Sequence, residues 1–319
     1  MSTVVSGTLM RSDLHLKNVT SVYHGKVRDV YHLADDRTIL VASDRISAFD
    51  VVLPRGIPCK GQVLSQLSWH MLQATAHIAP NWAIASPDPN VVIGHRCTTV
   101  KVEMVVRGYL AGHAARQYAE GHRVLCGATM PDGMKENDAF PVPIITPSTK
   151  ADQGHDEDIT PAQILERGLC TREEWATMVV HALALFIEGS RIAKSHGLLL
   201  VDTKYEFGRA KDGRILLIDE IHTPDSSRYF YADGYAERQA RGERQKQLSK
   251  EFVREWLIAR GFMGKEGQQV PPMDDAFVES VTERYTELYE RLTGESLVPA
   301  PAGDVNARIQ RALEGYLGA

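Results

Sequence analysis

Two neighbouring stretches constrain this chain more than any other part of it. They read GLLLVDTKYEFG at 197–208 and ILLIDEIHTPDSSRYF at 215–230, separated by RAKDGR. Each begins as a run of Leu, Ile and Val and turns charged towards its end. Side chains alternate faces along a strand, so Asp202, Lys204 and Glu206 share one face while Val201, Thr203, Tyr205 and Phe207 share the other. The second stretch adds Asp219, Glu220, Asp225 and Arg228. A short connection containing Asp-Gly predicts a β-hairpin that brings the two acidic sets together. Several carboxylates and a lysine on one sheet face suit magnesium and nucleotide phosphates. A solvated hairpin face carrying cross-strand ion pairs has the same alternation, and the spacing by itself leaves both readings open.

Length and composition bound the alternatives. At 319 residues, with 43% apolar and 24% charged residues, the chain can bury the core of one large domain or of two lobes. A net charge of −5 gives no global positive field for a nucleic-acid backbone, although small anionic substrates can still bind local basic clusters. Cys59, Cys97, Cys126 and Cys170 contain no Cys-x-x-Cys pair and are too sparse for a disulfide framework, which predicts reduced thiols and a cytoplasmic setting. The first residues lack the charged-then-apolar pattern of a secretory signal, and no apolar stretch is expected to reach the roughly 18 residues that span a bilayer.

Along the chain, residues 20–53 are expected to be rich in strands, 62–79 helical, 97–109 a strand and 111–120 a helix. Residues 127–160 are polar and interrupted by proline and glycine. They are expected to form a long loop, which near its end offers Lys150, Asp152, His155 and Asp156 to a substrate. Residues 171–196 make the clearest helix, with a Thr171–Glu174 capping box and Gly197 as the stop. Helices are also expected at 249–260, 274–292 and 305–317, with Val278, Val281, Tyr285, Leu288 and Leu292 at helical spacing.

Three further segments carry functional groups. HGKVRDVY (24–31) places Gly25 where a backbone can approach phosphate, with Lys26 and Arg28 supplying charge, although a P-loop spacing is absent and a plain hairpin with both basic residues on its wet face accounts for the segment taken alone. SDRISAFD (43–50) clusters Asp44, Arg45, Ser47 and Asp50 at the end of an apolar strand, where functional groups often stand, although without context turn capping by Ser and Asp accounts for them first. In VEMVVRGYLAGHAARQY (102–118), Glu103 interrupts an apolar run and Arg107 suits bidentate capture of carboxylate or phosphate. No zinc motif, nucleophile elbow or Cys–His arrangement stands out. An inventory of carboxylates, Lys and Arg without an obvious nucleophile fits ATP-dependent activation of a bound substrate, where positioning and electrostatics do the catalysis.

GKVRDVY, SDRISAFD, the VRGYLAG bend, ITPSTKADQGHDEDIT, LLVDTKYEFG and LIDEIHTPDSSRYF occur in this order, and together they resemble the SAICAR synthetase family across residues 23–262. The resemblance implies an α+β, two-lobed fold: a small antiparallel-sheet lobe (1–105) that binds ATP, and a larger α/β lobe (106–319) with the substrate site and C-terminal helices. The nucleotide cleft would be of the kinase or ATP-grasp kind. It implies a ligase that joins carboxyaminoimidazole ribonucleotide (CAIR) to L-aspartate with ATP as co-substrate and Mg2+, acting in the cytoplasm without nucleic-acid or membrane partners. A monomer is favoured for a chain of this longer form. Implied for ATP are Gly25, Lys26, Arg28, Lys101, Met104, Glu206 and Asp219. Implied for metal are Glu206, Asp219, Glu103 and Asp156. Lys150, Lys204 and Asp202 would be catalytic, and Asp44, Ser47, Arg107, Asp225, Ser227 and Arg228 would contact CAIR or aspartate. His113 departs from the serine common in the family after the Gly112 bend, which puts a contact to the substrate phosphate there in doubt. A small-molecule kinase on a related scaffold is the alternative.

Overall fold

In the computed structural model, residues 7–151, 155–301 and 303–318 are described, and Asp152 lies outside them. The chain is α+β and forms two compact units. One comprises residues 1–70, 82–96 and 249–319, the other 71–81 and 97–248. This division differs from a split at residue 105. The strand Thr98–Tyr109 runs through that point without a break, and the C-terminal helices cluster with the N-terminal residues.

The first unit is built on a five-stranded antiparallel sheet in the order Val19–His24, Arg28–Leu33, Arg37–Ala42, Val91–His95, Ala83–Asp88. Its core gathers Tyr31, Leu33, Ile39, Val41, Val91 and Ile93 with Ile309 and Leu313 of the helix Val305–Leu317. That helix begins with Asp304 accepting from the Ala307 N–H, and it is tied to the sheet edge where Arg308 donates to both oxygens of Asp88 at 2.8 and 3.1 Å. The helix Asp275–Thr293 buries Val278, Val281, Tyr285, Leu288 and Leu292, the predicted stripe.

The second unit is organised by one strand, Leu198–Arg209, in a seven-stranded sheet. On one side it pairs antiparallel with Thr98–Tyr109. On the other side it has two successive partners: Ser227–Tyr231 along residues 198–203, and Ile215–Ile218 along residues 206–209. The expected hairpin is the second of these, closed by a turn in which the Ala210 N–H donates to Arg214 O at 2.9 Å and Gly213 takes a φ of 85°. The chain therefore leaves the edge of the central strand after Ile218 and rejoins the same edge at Ser227.

The helix Arg172–Ser195 covers this sheet. Its capping box is formed as predicted, and Met178, Ala182, Leu185, Phe186, Gly189 and Ala193 are buried. Against the sequence expectation, it is long and apolar enough to cross a bilayer by length and composition. Its apolar side here packs on the strands Thr98–Tyr109 and Leu198–Arg209. Residues 127–149 are also more ordered than a plain loop. Ala139–Ile145 pairs with Thr98–Tyr109 across a register shift, and Ser148–Thr149 follows on the same edge. Pro141 and Pro143 disguise this strand in the sequence, because proline lacks a ladder N–H and survives only at edges and irregularities.

Candidate active site

Strand alternation puts Val201, Thr203, Tyr205 and Phe207 into the core, each at most 2% exposed, and leaves Asp202, Lys204 and Glu206 on the other face. Glu206 stands directly across from Glu103 in the register between the two long strands. Two buried carboxylates so placed repel each other, and two ammonium groups compensate them. Lys204 Nζ donates to Glu103 at 2.5 Å and to Glu206 at 2.8 Å. Lys150 Nζ donates to the other oxygen of Glu206.

The electrostatics divide the pair. Burial alone would raise the Glu206 carboxyl, but Lys204 and Lys150 outweigh it and hold that group well below the usual carboxylate range. For Glu103, burial and the neighbouring Glu206 prevail over Lys204 and push it up. Burial disfavours the charged ammonium of Lys204, yet the two glutamates more than offset this and raise its pKa. Glu206 is thus ionised and Lys204 protonated across the physiological range.

Asp202, one turn of the pleat away, lies between two arginines. Arg107 NH1 reaches its Oδ2 at 3.3 Å and Arg228 NH1 reaches the same oxygen at 3.2 Å. Arg107 also donates to Thr146 Oγ1 at 2.8 Å, and burial lowers its pKa. Gly112 lets Arg228 take this position. Its φ is 57°, and a Cβ there would lie 2.6 Å from Arg228 NH1. His113, at the start of the helix Gly112–Ala119, pairs with Asp158 at 2.7 Å.

The excursion 219–226 fills the gap between the two edge partners of the central strand. Ser226 O accepts from the Lys204 N–H at 3.0 Å. Asp219 is left-handed, with φ 63°, and Thr223 Oγ1 donates to the buried Glu220 at 2.5 Å. Ser227 is 6% exposed and its hydroxyl shares a 2.7 Å hydrogen bond with Thr203. Met104 is fully buried, whereas Lys101 is exposed and its carbonyl accepts from the Lys150 N–H at 3.1 Å. Asp156 is exposed and accepts from the Ala151 N–H at 2.8 Å, next to Lys150.

In the first unit, residues 25–27 join the first two strands in a tight turn, with the Gly25 N–H donating to Arg28 O at 2.8 Å. Lys26 pairs with Asp50. Arg45 holds this turn from beneath: it donates to Gly25 O at 2.9 Å, to Lys26 O at 3.1 Å, to Met10 O, and to Asp29 at 2.8 Å. Asp29 has no exposure. Burial would raise it, but Arg45 and Ser12 hold it below its ordinary value. The sequence pointed to the cluster at 44–50 without separating its roles. Asp44 accepts from the backbone N–H groups of Leu9 at 2.7 Å and Gly61 at 2.9 Å, and Ser47 is 9% exposed in a two-residue strand. The supporting Arg45–Asp29 pair becomes visible only when the strands are paired.

The donor chemistry around Glu206 suits a hard divalent cation. Magnesium is commonly bound by one or two carboxylates together with substrate phosphates rather than by an all-protein cage. Among the described residues no group of three or more His, Cys, Asp or Glu is assembled; Glu206 and Glu103 face each other across the two strands as the carboxylate donors.

Buried carboxylates bridged by lysines, next to two arginines that hold a further carboxylate, thus gather on one face of the seven-stranded sheet. A family model for SAICAR synthetase matches residues 21–270. The phosphoribosylaminoimidazole-succinocarboxamide synthase of Flavobacterium psychrophilum is 56% identical over 311 residues, 97% of this chain and 98% of that one. That of Cytophaga hutchinsonii is 60% identical over 298 residues, 93% and 96% of the two chains. The solved SAICAR synthase of Saccharomyces cerevisiae, complexed with SAICAR, is similar in structure with a TM-score of 0.75 at 32% identity, covering 90% of this chain and 99% of that one. The chain belongs to the SAICAR synthetase family.

Proposed function

We propose that this chain joins the carboxylate of CAIR to the amine of L-aspartate at the expense of ATP, giving SAICAR, ADP and phosphate in purine synthesis. Family membership supports the reaction. The observation that carries the site assignment is the chain of charges Lys150–Glu206–Lys204–Glu103 on one sheet face. In this reading, a CAIR carboxylate oxygen attacks the γ-phosphorus of ATP and ADP leaves. The aspartate amine then attacks the acyl carbon of the resulting acyl phosphate, phosphate leaves, and the nitrogen gives up a proton. No protein nucleophile takes part.

Gly25, Lys26 and Arg28 would take the ATP phosphates and the segment 101–104 the adenine. Lys150 would leave Glu206 to meet the transferring phosphoryl group, with Lys204 keeping Glu206 ionised and oriented. Arg107 and Arg228, now on Asp202, are suited to carboxylate and phosphate groups of CAIR and aspartate, with Asp225 three residues before Arg228 in sequence. Glu206 and Asp219 would hold the magnesium that accompanies ATP, Glu103 would hold magnesium near the CAIR carboxylate, and Asp156 would be a further metal ligand. When bound, the ion would offset negative charge on the phosphates.

An ADP-release assay with CAIR and varied aspartate tests this. Release that requires both acids supports the ligase. Release with CAIR alone, leaving a stable phosphorylated product, would mean a kinase.

A further inference from the structure

His222 has no part in the roles above, yet it occupies the middle of the 219–226 excursion with no exposure. Its imidazole Nε2 shares a 2.8 Å hydrogen bond with the Tyr205 hydroxyl, and the two rings meet edge-on at 5.6 Å. Its carbonyl accepts from the Tyr229 hydroxyl at 2.9 Å. Its backbone is left-handed, with φ 58°. The covering helix makes room for the ring: a Cβ on Gly189 would lie 2.2 Å from His222 Cε1.

The two tyrosines matter because of their neighbours. Tyr205 stands between Lys204 and Glu206 on the central strand, and Tyr229 follows Arg228. Each has its hydroxyl on His222, while the adjacent residues carry the charges of the site. Burial pushes the imidazole down to about 3, so the ring is neutral, and its Nδ1 has no hydrogen-bond partner among the described residues. A residue needed only to fill this volume would be apolar, since a buried polar ring is costly unless its hydrogen bond is used. What the imidazole adds over a leucine is direction.

We propose that His222 is a positioning residue for the ligase reaction. By tying the excursion to Tyr205 through its imidazole, while its backbone carbonyl takes the Tyr229 hydroxyl, it sets where Asp219 and Asp225 stand relative to Lys204, Glu206 and Arg228. This rests on the reading that Asp219 and Asp225 serve the reaction.

The test is steady-state kinetics with CAIR, L-aspartate and MgATP alongside thermal unfolding. The variants are His222→Leu, His222→Gln, Tyr205→Phe and the double variant Tyr205→Phe/His222→Leu. Misplacement by about 1 Å can cost about a hundredfold, so His222→Leu is expected to lose about 10- to 100-fold in kcat/KM. Glutamine can still bond the Tyr205 hydroxyl and should restore most of that loss. The double variant removes both partners of the buried bond and should regain stability, because no hydroxyl is left unpaired. Its kcat/KM should stay low. If activity instead returns together with Tm, His222 is structural only and the proposal falls. A folded His222→Leu, or Tyr205→Phe should leucine not fold, within about twofold of wild-type kcat/KM also overturns it. Asp219→Asn and Asp225→Asn are the controls. If both keep wild-type kinetics, the underlying site reading fails and this inference with it. If they lose activity while the His222 and Tyr205 variants do not, this inference alone fails.

Discussion

Replacing Glu206 by Gln probes the centre of the site. The carboxylate is 4% exposed and takes hydrogen bonds from Lys204 and Lys150. Removing one member of a buried ion pair costs about 3–5 kcal/mol when the partner is left stranded. Here the lysine side chains are 32% and 33% exposed, so both can regain water. Lys204 also keeps Glu103, and Glu103 is relieved of a repelling neighbour. These effects reduce the expected cost to about 2 kcal/mol at neutral pH, a fall of about 4–8 °C in the Tm of a unit this size.

The pH dependence gives the sharper check. The Glu206 carboxyl is depressed in the folded state, so its contribution is complete above the ordinary glutamate value of 4.5 and is lost as pH falls towards the folded value. The Tm difference between wild type and Glu206→Gln should therefore hold from neutral pH down to about 5.5 and narrow below about 4.5. Turnover should fall by about 10²–10³-fold or more, the scale for losing an electrostatic element of a phosphate-handling site. Differential scanning fluorimetry across pH and the ADP-release assay measure both. A Tm gap that does not narrow in acid, or near-native turnover at saturating magnesium, would refute the reasoning.

Three other changes have defined outcomes. Lys150→Ala leaves the fold intact, since Lys150 is one-third exposed, but should lower kcat by about a hundredfold or more. A much smaller loss would make it an ordinary loop residue. Arg45→Met strips the 25–27 turn of its guanidinium support and leaves buried Asp29 with Ser12 and His24 but without its arginine. It should cost about 3 kcal/mol by chemical denaturation and raise the KM for ATP more than it lowers kcat; an unchanged KM for ATP would detach Arg45 from the nucleotide. Gly112→Ala forces a left-handed alanine at about 1 kcal/mol and pushes Arg228 off Asp202. The KM for CAIR or aspartate should rise about tenfold while that for ATP stays level, and equal kinetics would show that Arg228 does not need its present position.

Local physics was enough to read much of this molecule from its residues. Alternation along 198–209 assigns Asp202, Lys204 and Glu206 to one face and Tyr205 and Phe207 to the core, because successive strand side chains point opposite ways whatever the strand pairs with. Thr171 and Glu174 form their capping box within one turn, and the 274–292 stripe is buried where its spacing says. Six ordered motifs point to the family. Other features depend on contacts between residues far apart in the chain. That Glu103 faces Glu206 is a matter of register between strands about a hundred residues apart, and a slip of one residue would turn either carboxylate to the other face. The sharing of Asp202 by Arg107 and Arg228 arises the same way. The 139–145 strand was hidden by its prolines, whose missing N–H groups are tolerated only because of the edge it occupies. His222 had no local signal, since a lone histidine in a polar stretch reads as surface. Its burial follows from two strands sharing one edge of a third, so that the segment between them is carried to Tyr205 on the core face of the sheet.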